Sequence, residues 1–351
     1  MQTPMTHALR VDQRPSRRSM SRACALVLAV LPSFAIAWGA SGHRLVSETA
    51  ARELPKDLPD FLTGAATVTW LGELGREADR MKGAGRSPDR NANPGHYVNA
   101  DDAGLVLGAV PLHALPPDRE EYDTALRAKG VNQYKAGYLP YSIVDGWFAL
   151  RKDFAYWRAD TAGLAQAKSA REKRWYKEDR RHRETLTLRD LGYWSHFVAD
   201  GSQPMHVSIH FNGWGEYPNP AGYTTAKTLH AEFEGAYVSA HVTDGSVIAA
   251  LPPPKPLDCD IEKNTANYLA ATLAEITPLY RLEKQGAFKT GDGPGKAFVV
   301  VRLAAGAAMI RDLVTAAWTC SAEASVGFPP ITVKDIEAGT ADPWTALRGE
   351  D

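Results

Sequence analysis

The sequence predicts an all-α protein built as one domain of many helices. Apolar residues recur at the three- and four-residue spacing of amphipathic helices, whereas the strict alternation of a half-buried strand is rare. The chain has 351 residues, of which 44% are hydrophobic, enough to bury a sizeable core. We find no internal repeat and no long linker in the sequence, which makes a single domain the economical interpretation.

The first 37 residues have the three parts of a secretory signal peptide. Residues 1–22 hold five arginines and one acid, an apolar run spans 23–37, and the sequence Ala-Ile-Ala at 35–37 is an A-x-A cleavage signal. A short buried helix is the alternative interpretation. Cleavage would leave a single helical domain, 38–351, that begins at Trp38 and is secreted or periplasmic.

The composition of the chain that remains after this cleavage argues against some classes of function. Residues 38–351 hold 35 basic and 40 acidic side chains, and this net charge of −5 does not favour nonspecific binding of polyanions. No run of about eighteen apolar residues predicts a transmembrane helix. Cys259 and Cys320 remain, and in an oxidising compartment this pair predicts one disulfide bond.

The helices follow from periodicity and from residues that end helices. Clear amphipathic patterns run over 143–157 and 299–317, and a further helix over 186–200 is followed by Gly201 and Pro204. More helices are predicted near 43–53, 72–82, 159–180, 230–242 and 260–281. Clusters of Gly, Pro and Asn predict loops at 83–95, 104–118, 212–226, 251–257 and 289–296.

Histidines and carboxylates carry the chemistry of this sequence. His196 and Asp200 are four residues apart and therefore project from one face of a helix. His230 and Glu234 repeat this spacing on a second helix, and His206 lies between the two pairs. One such pair is common on a solvated helix face. Two pairs with a histidine between them favour a site for a divalent metal such as zinc.

Several motifs resemble those of a known enzyme superfamily. Residues 196–206 resemble the H-x-x-x-D-x-x-Q-P-[LM]-H core of the zinc-dependent phospholipase C and single-strand nuclease superfamily. The sequence WGASGH at 38–43 resembles the W-G-x-x-G-H opening of its nuclease branch, the S-one/P-one nucleases. HYVN at 96–99 resembles that branch's H-[FY]-[IV]-[DN] segment, with Asp79 before it in the place of the family's acidic ligand. Residues 302–304 resemble part of its C-terminal helix.

The resemblance implies an all-α fold with a cleft that holds three zinc ions. The implied ligands are Asp79, His96, His196 and Asp200 for the first ion; His206, His230 and Glu234 for the second; and His43, the shared Asp200, and the α-amino group and carbonyl of Trp38 for the third. Glu77, Asp101 and Asp102 lie nearby and are alternatives to Asp79.

The activity that the resemblance implies is hydrolysis of phosphoester bonds. Zinc lowers the pKa of a bound water, which would attack phosphorus, while a further zinc ion would stabilise the leaving oxygen. Asp200 would serve two ions, and Asp79 would hydrogen-bond to the attacking water or act only as a ligand. Lys82 would bind a phosphate oxygen, unless it is a solvated surface lysine.

The spacing of the WGASGH motif favours the nuclease branch. We therefore expect an endonuclease that acts on single-stranded DNA or RNA and hydrolyses nucleotide 3′-phosphates, with no stable protein partner. Tyr97, Asn99 and Trp214 are the candidate substrate contacts. Trp214 and its loop neighbours Tyr217 and Tyr223 would stack on bases or contact lipid, or they would pack the loop.

Two alternatives stay open at this point. Glu234, in place of aspartate, and Met205 are typical of the phospholipase branch, so a zinc-dependent phospholipase C that releases phospholipid headgroups is the first alternative. A zinc-binding protein without catalytic activity is the second.

Overall fold

A computed structural model describes residues 38–349 and confirms the all-α fold. The predicted signal peptide lies outside the described residues. The α-helices are α1 Gly39–Arg52, α2 Ala65–Leu74, α3 Arg86–Ala92, α4 Arg119–Arg127, α5 Gln133–Ala136, α6 Leu139–Gln166, α7 Ala170–Asp200, α8 Leu229–Ala231, α9 Val238–His241, α10 Asp244–Ala249, α11 Ile261–Leu273, α12 Ile276–Lys284, α13 Gly293–Ser321, α14 Val333–Glu337 and α15 Trp344–Arg348.

Shorter elements join these helices. Residues 38–349 contain four short 3₁₀-helices, at Asp60–Leu62, Ala78–Gly83, Asn93–His96 and Pro204–His206. They also contain one π-helix, Glu232–Tyr237. Two antiparallel hairpins are formed by β1 Leu105–Val106 with β2 Val110–Pro111, and by β3 Ser325–Val326 with β4 Ile331–Thr332. The first hairpin lies inside the predicted loop 104–118.

Helices α6 and α7 are a long pair that packs side by side, with α13 and α1 against them. Fully buried tryptophans join these helices through their indole N–H groups. Trp147 of α6 donates to the carbonyl of Leu313 in α13 at 2.9 Å, and Trp194 of α7 donates to the carbonyl of Ile143 at 2.8 Å. Each buried aromatic removes a large apolar area from water, so this core holds the end of α7 in a defined place.

The predicted helix over 159–180 is wrong, because two helices meet there. Helix α6 ends at Gln166, and α7 begins after Ser169, whose hydroxyl accepts a hydrogen bond from the Glu172 N–H at 3.1 Å. The carboxylate of Glu172 accepts from the Lys168 N–H at 2.6 Å. A Ser with Glu three residues later is a helix start signal, and a new helix begins here.

Other predicted boundaries also need correction. The predicted loop 83–95 contains α3, which starts directly after Gly85 at φ 110°, a backbone angle that favours glycine. The predicted helix 72–82 is the end of α2 followed by a 3₁₀-helix, and 230–242 is α8, the π-helix and α9. The predicted helix 260–281 is divided between α11 and α12.

The predicted disulfide bond is confirmed. Cys259 and Cys320 are bonded, with their Cα atoms 6.0 Å apart. The bond joins the segment before α11 to the last turn of α13. Among the helices of 38–349, none has both the length and the apolar character that a membrane span requires.

Candidate metal centre

The residues that the sequence singled out as ligands converge at the carboxyl end of α7. Three groups of side chains lie close enough to share a metal ion, each with its ligand atoms within 4.8 Å of one another: His206, His230 and Glu234; Asp79, His96 and His196; and His43, His196 and Asp200. These side chains are buried except for that of Asp79, which is half-buried. The structure therefore brings together all eight predicted side-chain ligands.

The first group is built on the α8 and π-helix segment and on the short helix after α7. His206 Nε2 is 3.0 Å from His230 Nε2, and His230 Nε2 is 2.8 Å from Glu234 Oε2. The π-helix begins between His230 and Glu234, and single π-turns are frequent at functional sites.

Hydrogen bonds determine which nitrogen atoms face inward. His206 Nδ1 donates to the carbonyl of His96 and His230 Nδ1 to the carbonyl of Phe211, both at 2.6 Å. Because a carbonyl only accepts, each neutral ring carries its proton on Nδ1 and a lone pair on Nε2. Two lone pairs 3.0 Å apart beside the Glu234 carboxylate repel each other unless a proton or a metal cation lies between them. This donor set fits a metal ion.

His196 of the second group is oriented in the same way. His196 Nδ1 donates to the carbonyl of Gly75 at 2.8 Å, so its Nε2 lone pair points toward His96 Nδ1, 2.9 Å away. Asp79 Oδ1 lies 3.8 Å from His196 Nε2 and 4.0 Å from His96 Nδ1. Backbone carbonyls thus fix the orientation of the rings, as is usual for metal-binding histidines.

Asp200 links the second group to the third. Its Oδ2 is 3.1 Å from His96 Nδ1, and its Oδ1 is 3.4 Å from His43 Nε2. The rings of His43 and His196 are stacked, with centroids 3.8 Å apart. Both nitrogens of His43 and Oδ1 of Asp200 are buried and lack a hydrogen-bond partner among the described residues. Such orphaned polar atoms are costly unless a ligand completes them.

The pKa shifts in the centre indicate that its carboxylates are stabilised by positive charge among the nitrogen atoms. Burial opposes ionisation of Asp200, but His196 and His206 outweigh it and hold the pKa of this carboxyl well below its usual range. Burial lowers the pKa of His43 to about 3 and that of His96 to about 4, which keeps both imidazoles neutral. At His206 the opposing carboxylates Asp200 and Glu234 outweigh burial and raise the pKa to about 9. A divalent cation satisfies the same carboxylates without protonating the ligands.

Trp38 lies directly before α1, in a left-handed backbone conformation at φ 33°. Its ring is fully buried, and Nε1 donates to the carbonyl of Ala199 at 2.8 Å and to the Ser202 hydroxyl at 3.0 Å. Gly39 follows at φ 52°, where an added Cβ would come 3.3 Å from Gly235 Cα. The start of α1 is thus pressed against the π-helix of the first group.

Asp79 is the acid that the fold places beside the histidines. Lys82 Nζ is 2.6 Å from Asp79 Oδ1, in a half-buried ion pair. The alternative acids have other partners: Glu77 pairs with Arg80 at 2.8 Å, and Asp102 pairs with His210 at 3.0 Å.

The third alternative, Asp101, also has a local role. Its Oδ1 accepts from the backbone N–H groups of Ala103 and Leu105, at 3.0 and 2.9 Å. It therefore shapes the turn before β1.

A cleft of about 570 Å³ is lined by Tyr97, the residue that follows the ligand His96 in the chain. Tyr134, which is 44% exposed, lies on the same cleft. Three basic residues and one acid also line it: Arg86, Arg90, Lys135 and Asp89. Asn99 lies at the margin and donates from Nδ2 to the carbonyl of Lys135 at 3.0 Å. Except for Tyr97, sequence reasoning missed the lining residues, because α3 falls in a segment predicted as a loop.

Trp214 does not face this cleft. Its side chain is buried and stacks on His210 with ring centroids 3.7 Å apart, while Nε1 donates to the carbonyl of Pro218 at 2.9 Å. Tyr223 packs against it, whereas Tyr217 is 44% exposed. The predicted alternative, in which Trp214 packs its own loop, is the arrangement observed.

Sequence reasoning also missed the role of Gln203. This fully buried side chain donates from Nε2 to Glu234 Oε2 at 3.1 Å, and its Oε1 accepts from the Met205 N–H at 2.6 Å. The Q-P-M-H motif contains this residue, so the signal was present without a role attached.

Neither a family model, nor a curated protein, nor a solved structure matches the chain. A functional assignment therefore rests on the motifs of this sequence and on the geometry of the side chains that they contain.

Proposed function

We propose that the protein is a zinc-dependent phosphodiesterase that hydrolyses single-stranded nucleic acid. One observation carries the proposal: eight buried or half-buried imidazoles and carboxylates converge in three groups, and within each group the ligand atoms lie within 4.8 Å of one another. Imidazole nitrogen combined with carboxylate oxygen favours zinc over magnesium or calcium, which prefer all-oxygen sites.

The three groups of ligands would each hold one ion. Asp200 would serve two of them, since its oxygens face His96 on one side and His43 on the other. Bound zinc ions would supply Lewis-acid charge for the phosphoryl oxygens and acidify the attacking water. Gln203 and the backbone carbonyls would keep the ligands in place through their hydrogen bonds.

Asp79 and Lys82 would act on the substrate side of the centre. The Asp79 carboxylate is half-buried beside two ligand histidines, where it would bind an ion and accept a hydrogen bond from the attacking water. The Lys82 ammonium, 2.6 Å from this carboxylate, would contact a phosphate oxygen of the substrate. An ion pair in this position places a positive charge where negative charge develops during hydrolysis.

The cleft lined by Tyr97 supports nucleic acid rather than phospholipid as the substrate. Two tyrosines on its wall, Tyr97 and Tyr134, suit base stacking, and three cations against one acid suit the phosphate backbone. Its volume lies within the range of about 300–1,000 Å³ that is usual for ligand pockets.

A paired assay tests the proposal. The protein is produced so that it begins at Trp38, and it is offered single-stranded DNA or RNA in one arm and phosphatidylcholine micelles in the other. Each arm is run with a zinc chelator and again after zinc is restored. We expect cleavage of nucleic acid alone, lost with the chelator and recovered with zinc.

His196→Ala and His182→Ala form a matched pair of variants. Both histidines lie on α7, but His182 is exposed and outside the metal centre. We expect His196→Ala to abolish cleavage and His182→Ala to retain it. Chelator-sensitive release of phosphocholine alone would replace the nuclease proposal by a phospholipase C. Metal-loaded protein that is inactive in both arms would overturn enzymatic activity in favour of a zinc-binding protein.

A further inference from the structure

The carboxyl end of α7, which carries Asp200, is held by donors from other parts of the chain. The last carbonyl groups of a helix have no partner within it. The Tyr268 hydroxyl in α11 donates to the carbonyl of Val198 at 2.8 Å, and the Trp38 indole donates to the carbonyl of Ala199. These two donors are neutral, and a third donor beside them carries a charge.

That third donor is Arg302 of α13, whose side chain is 8% exposed. Its Nε donates to the carbonyl of Ser202 at 3.0 Å, and Nη2 donates to the Thr272 hydroxyl at 3.4 Å. The carboxylate of Glu275 is 4.0 Å away and 37% exposed, so it neutralises the guanidinium weakly. Gly306, one turn further along α13, permits this close approach, because an added Cβ would come 3.0 Å from Ser202 Oγ.

A buried cation is costly unless negative charge compensates it. Here the carbonyl of Ser202, in the turn that directly follows α7, offers partial negative charge near the carboxyl end of the helix dipole. The planar donor set of Arg302 therefore joins the turn after α7, through Nε, to Thr272 of α11, through Nη2.

This turn, 200–206, connects the groups of ligands. It begins at Asp200 and ends at His206, and between them Gln203 donates to Glu234. Movement of Ser202 would shift Asp200 and Gln203 together, because they are its neighbours in one tight turn. The position of Arg302 thus bears directly on ligands of the first and third groups, and on the second group through the contact of Asp200 with His96.

We propose that Arg302 is a positioning residue of the metal centre: its guanidinium, bonded to the carbonyl of Ser202, sets the turn 200–206 and through it the geometry at which metal ions are bound. This inference rests on the proposed function only in requiring that the wild-type chain binds metal. It holds for nucleic acid and phospholipid substrates alike, because Arg302 acts from the side of α13.

Cobalt substitution tests the inference without an activity assay. The visible absorption of bound Co²⁺ reports the coordination geometry, and competition with a chelator gives the affinity for Zn²⁺. We expect Arg302→Met to change the Co²⁺ spectrum and to weaken zinc binding about 10- to 100-fold, as is typical for residues that support ligands. Arg302→Lys, which keeps the charge but loses the planar donor set, should lie between Arg302→Met and the wild type.

Arg311→Met is the matched control. Arg311 lies on the same helix, is 2% exposed, and bonds Asp312 at 2.8 Å and the carbonyl of Pro252 at 3.1 Å, away from the turn. We expect it to lower the melting temperature and to leave the Co²⁺ spectrum unchanged.

Two outcomes would overturn the inference. One is a wild-type spectrum and affinity in both Arg302 variants, and the other is an equal loss of zinc affinity in Arg311→Met. If Arg302→Met does not fold, Arg302→Lys and Tyr268→Phe, which removes one donor to the same helix end, carry the test. Wild-type protein that binds neither metal would refute the proposed function itself.

Discussion

The helix pair α6 and α7 buries carboxyl groups at both of its ends, and the pKa of the carboxyl group is shifted in opposite directions at the two ends. At the end of α7, Asp200 is surrounded by imidazoles, and its pKa is held well below the usual range. Toward the other end, Asp160 of α6 is fully buried, and neither of its oxygens has a hydrogen-bond donor among residues 38–349. Burial alone therefore does not decide whether a carboxyl group is charged.

The neighbours of Asp160 explain the difference. Burial and the facing carboxylate of Asp179 raise the pKa of Asp160 to about 8, although Arg183 and Arg180 on α7 act in the other direction. Tyr176, also on α7, has a buried hydroxyl without a partner among the described residues. A protonated Asp160 can donate to Asp179, so at this end of the helix pair the two carboxyl groups are stable when they share one proton. The Asp200 end offers nitrogen lone pairs, which suit a metal ion.

The largest expected effect is the difference in activity between a substitution of Asp200 and the same substitution of Asp160. Asp200→Asn should lower phosphodiesterase activity by at least about 100-fold, because its charge faces two groups of ligands. Asp160→Asn should leave activity within about twofold of the wild type, since an amide resembles a protonated carboxyl. Steady-state rates on single-stranded DNA and zinc content per chain measure both. Near-normal turnover of Asp200→Asn would refute its assignment.

Removal of metal should produce the next largest effect, and only at the Asp200 end. Ligand present at about 100 times its dissociation constant stabilises a folded protein by about 2.7 kcal/mol. We therefore expect a chelator to lower the melting temperature of the wild type and of Asp160→Asn equally. The chelator should lower the melting temperature of Asp200→Asn much less. If the chelator leaves the melting temperature of all three proteins unchanged, bound metal makes no contribution to their stability.

A smaller effect concerns pH and the Asp160 end. Because the pKa of Asp160 is raised to about 8 from its ordinary value of 3.8, the folded chain holds a proton that the unfolded chain releases between these values. Stability should therefore fall as pH rises from about 4 to about 8, by at most about 1.4 kcal/mol per pH unit. Asp160→Asn should remove this contribution, so that the slope above about pH 6 disappears. Denaturant unfolding of both proteins across this range measures it, and parallel curves would show that Asp160 is ionised throughout.

The smallest effect is expected at Asp153, which lies two turns before Asp160 on α6. Burial raises its pKa to about 6, and the Lys152 ammonium, 2.8 Å away, acts against this rise. The same loss of stability with rising pH should therefore be confined to about pH 4 to 6. Asp153→Asn should alter unfolding free energies in that window and leave the slope above pH 6 unchanged. A slope that persists to pH 8 in Asp160→Asn and vanishes in Asp153→Asn would reverse the two assignments.

Much of the candidate metal centre could be predicted from local patterns. The i, i+4 pairs His196 with Asp200 and His230 with Glu234 are properties of helix geometry, and these residues meet at the end of α7. Other parts could not be predicted, because they depend on the packing of distant segments. Gly75 provides the carbonyl that orients His196 across 121 residues, and α13 brings Arg302 to Ser202 across 100 residues.

The helix boundaries, too, could be predicted only in part from the sequence. The apolar pattern located α13 and the paired helices α6 and α7, but it missed the break at Ser169, where a hydrogen bond from the Glu172 N–H starts a new helix. It also missed the π-helix that carries Glu234, since apolar periodicity does not distinguish a single wide turn from an α-helical one.

The sequence by itself determined the all-α class, the disulfide pair and the set of residues able to bind metal, because periodicity and residue chemistry are local properties. Tertiary structure alone decided which nitrogen of each histidine faces inward, that Asp79 rather than Glu77 or Asp102 joins the histidines, and that Trp214 packs its loop. It also decided that Asp200 is charged while Asp160 holds a proton. Each of these depends on partners that are far away in the chain, and a pKa or a tautomer is set by the groups that surround a side chain in space.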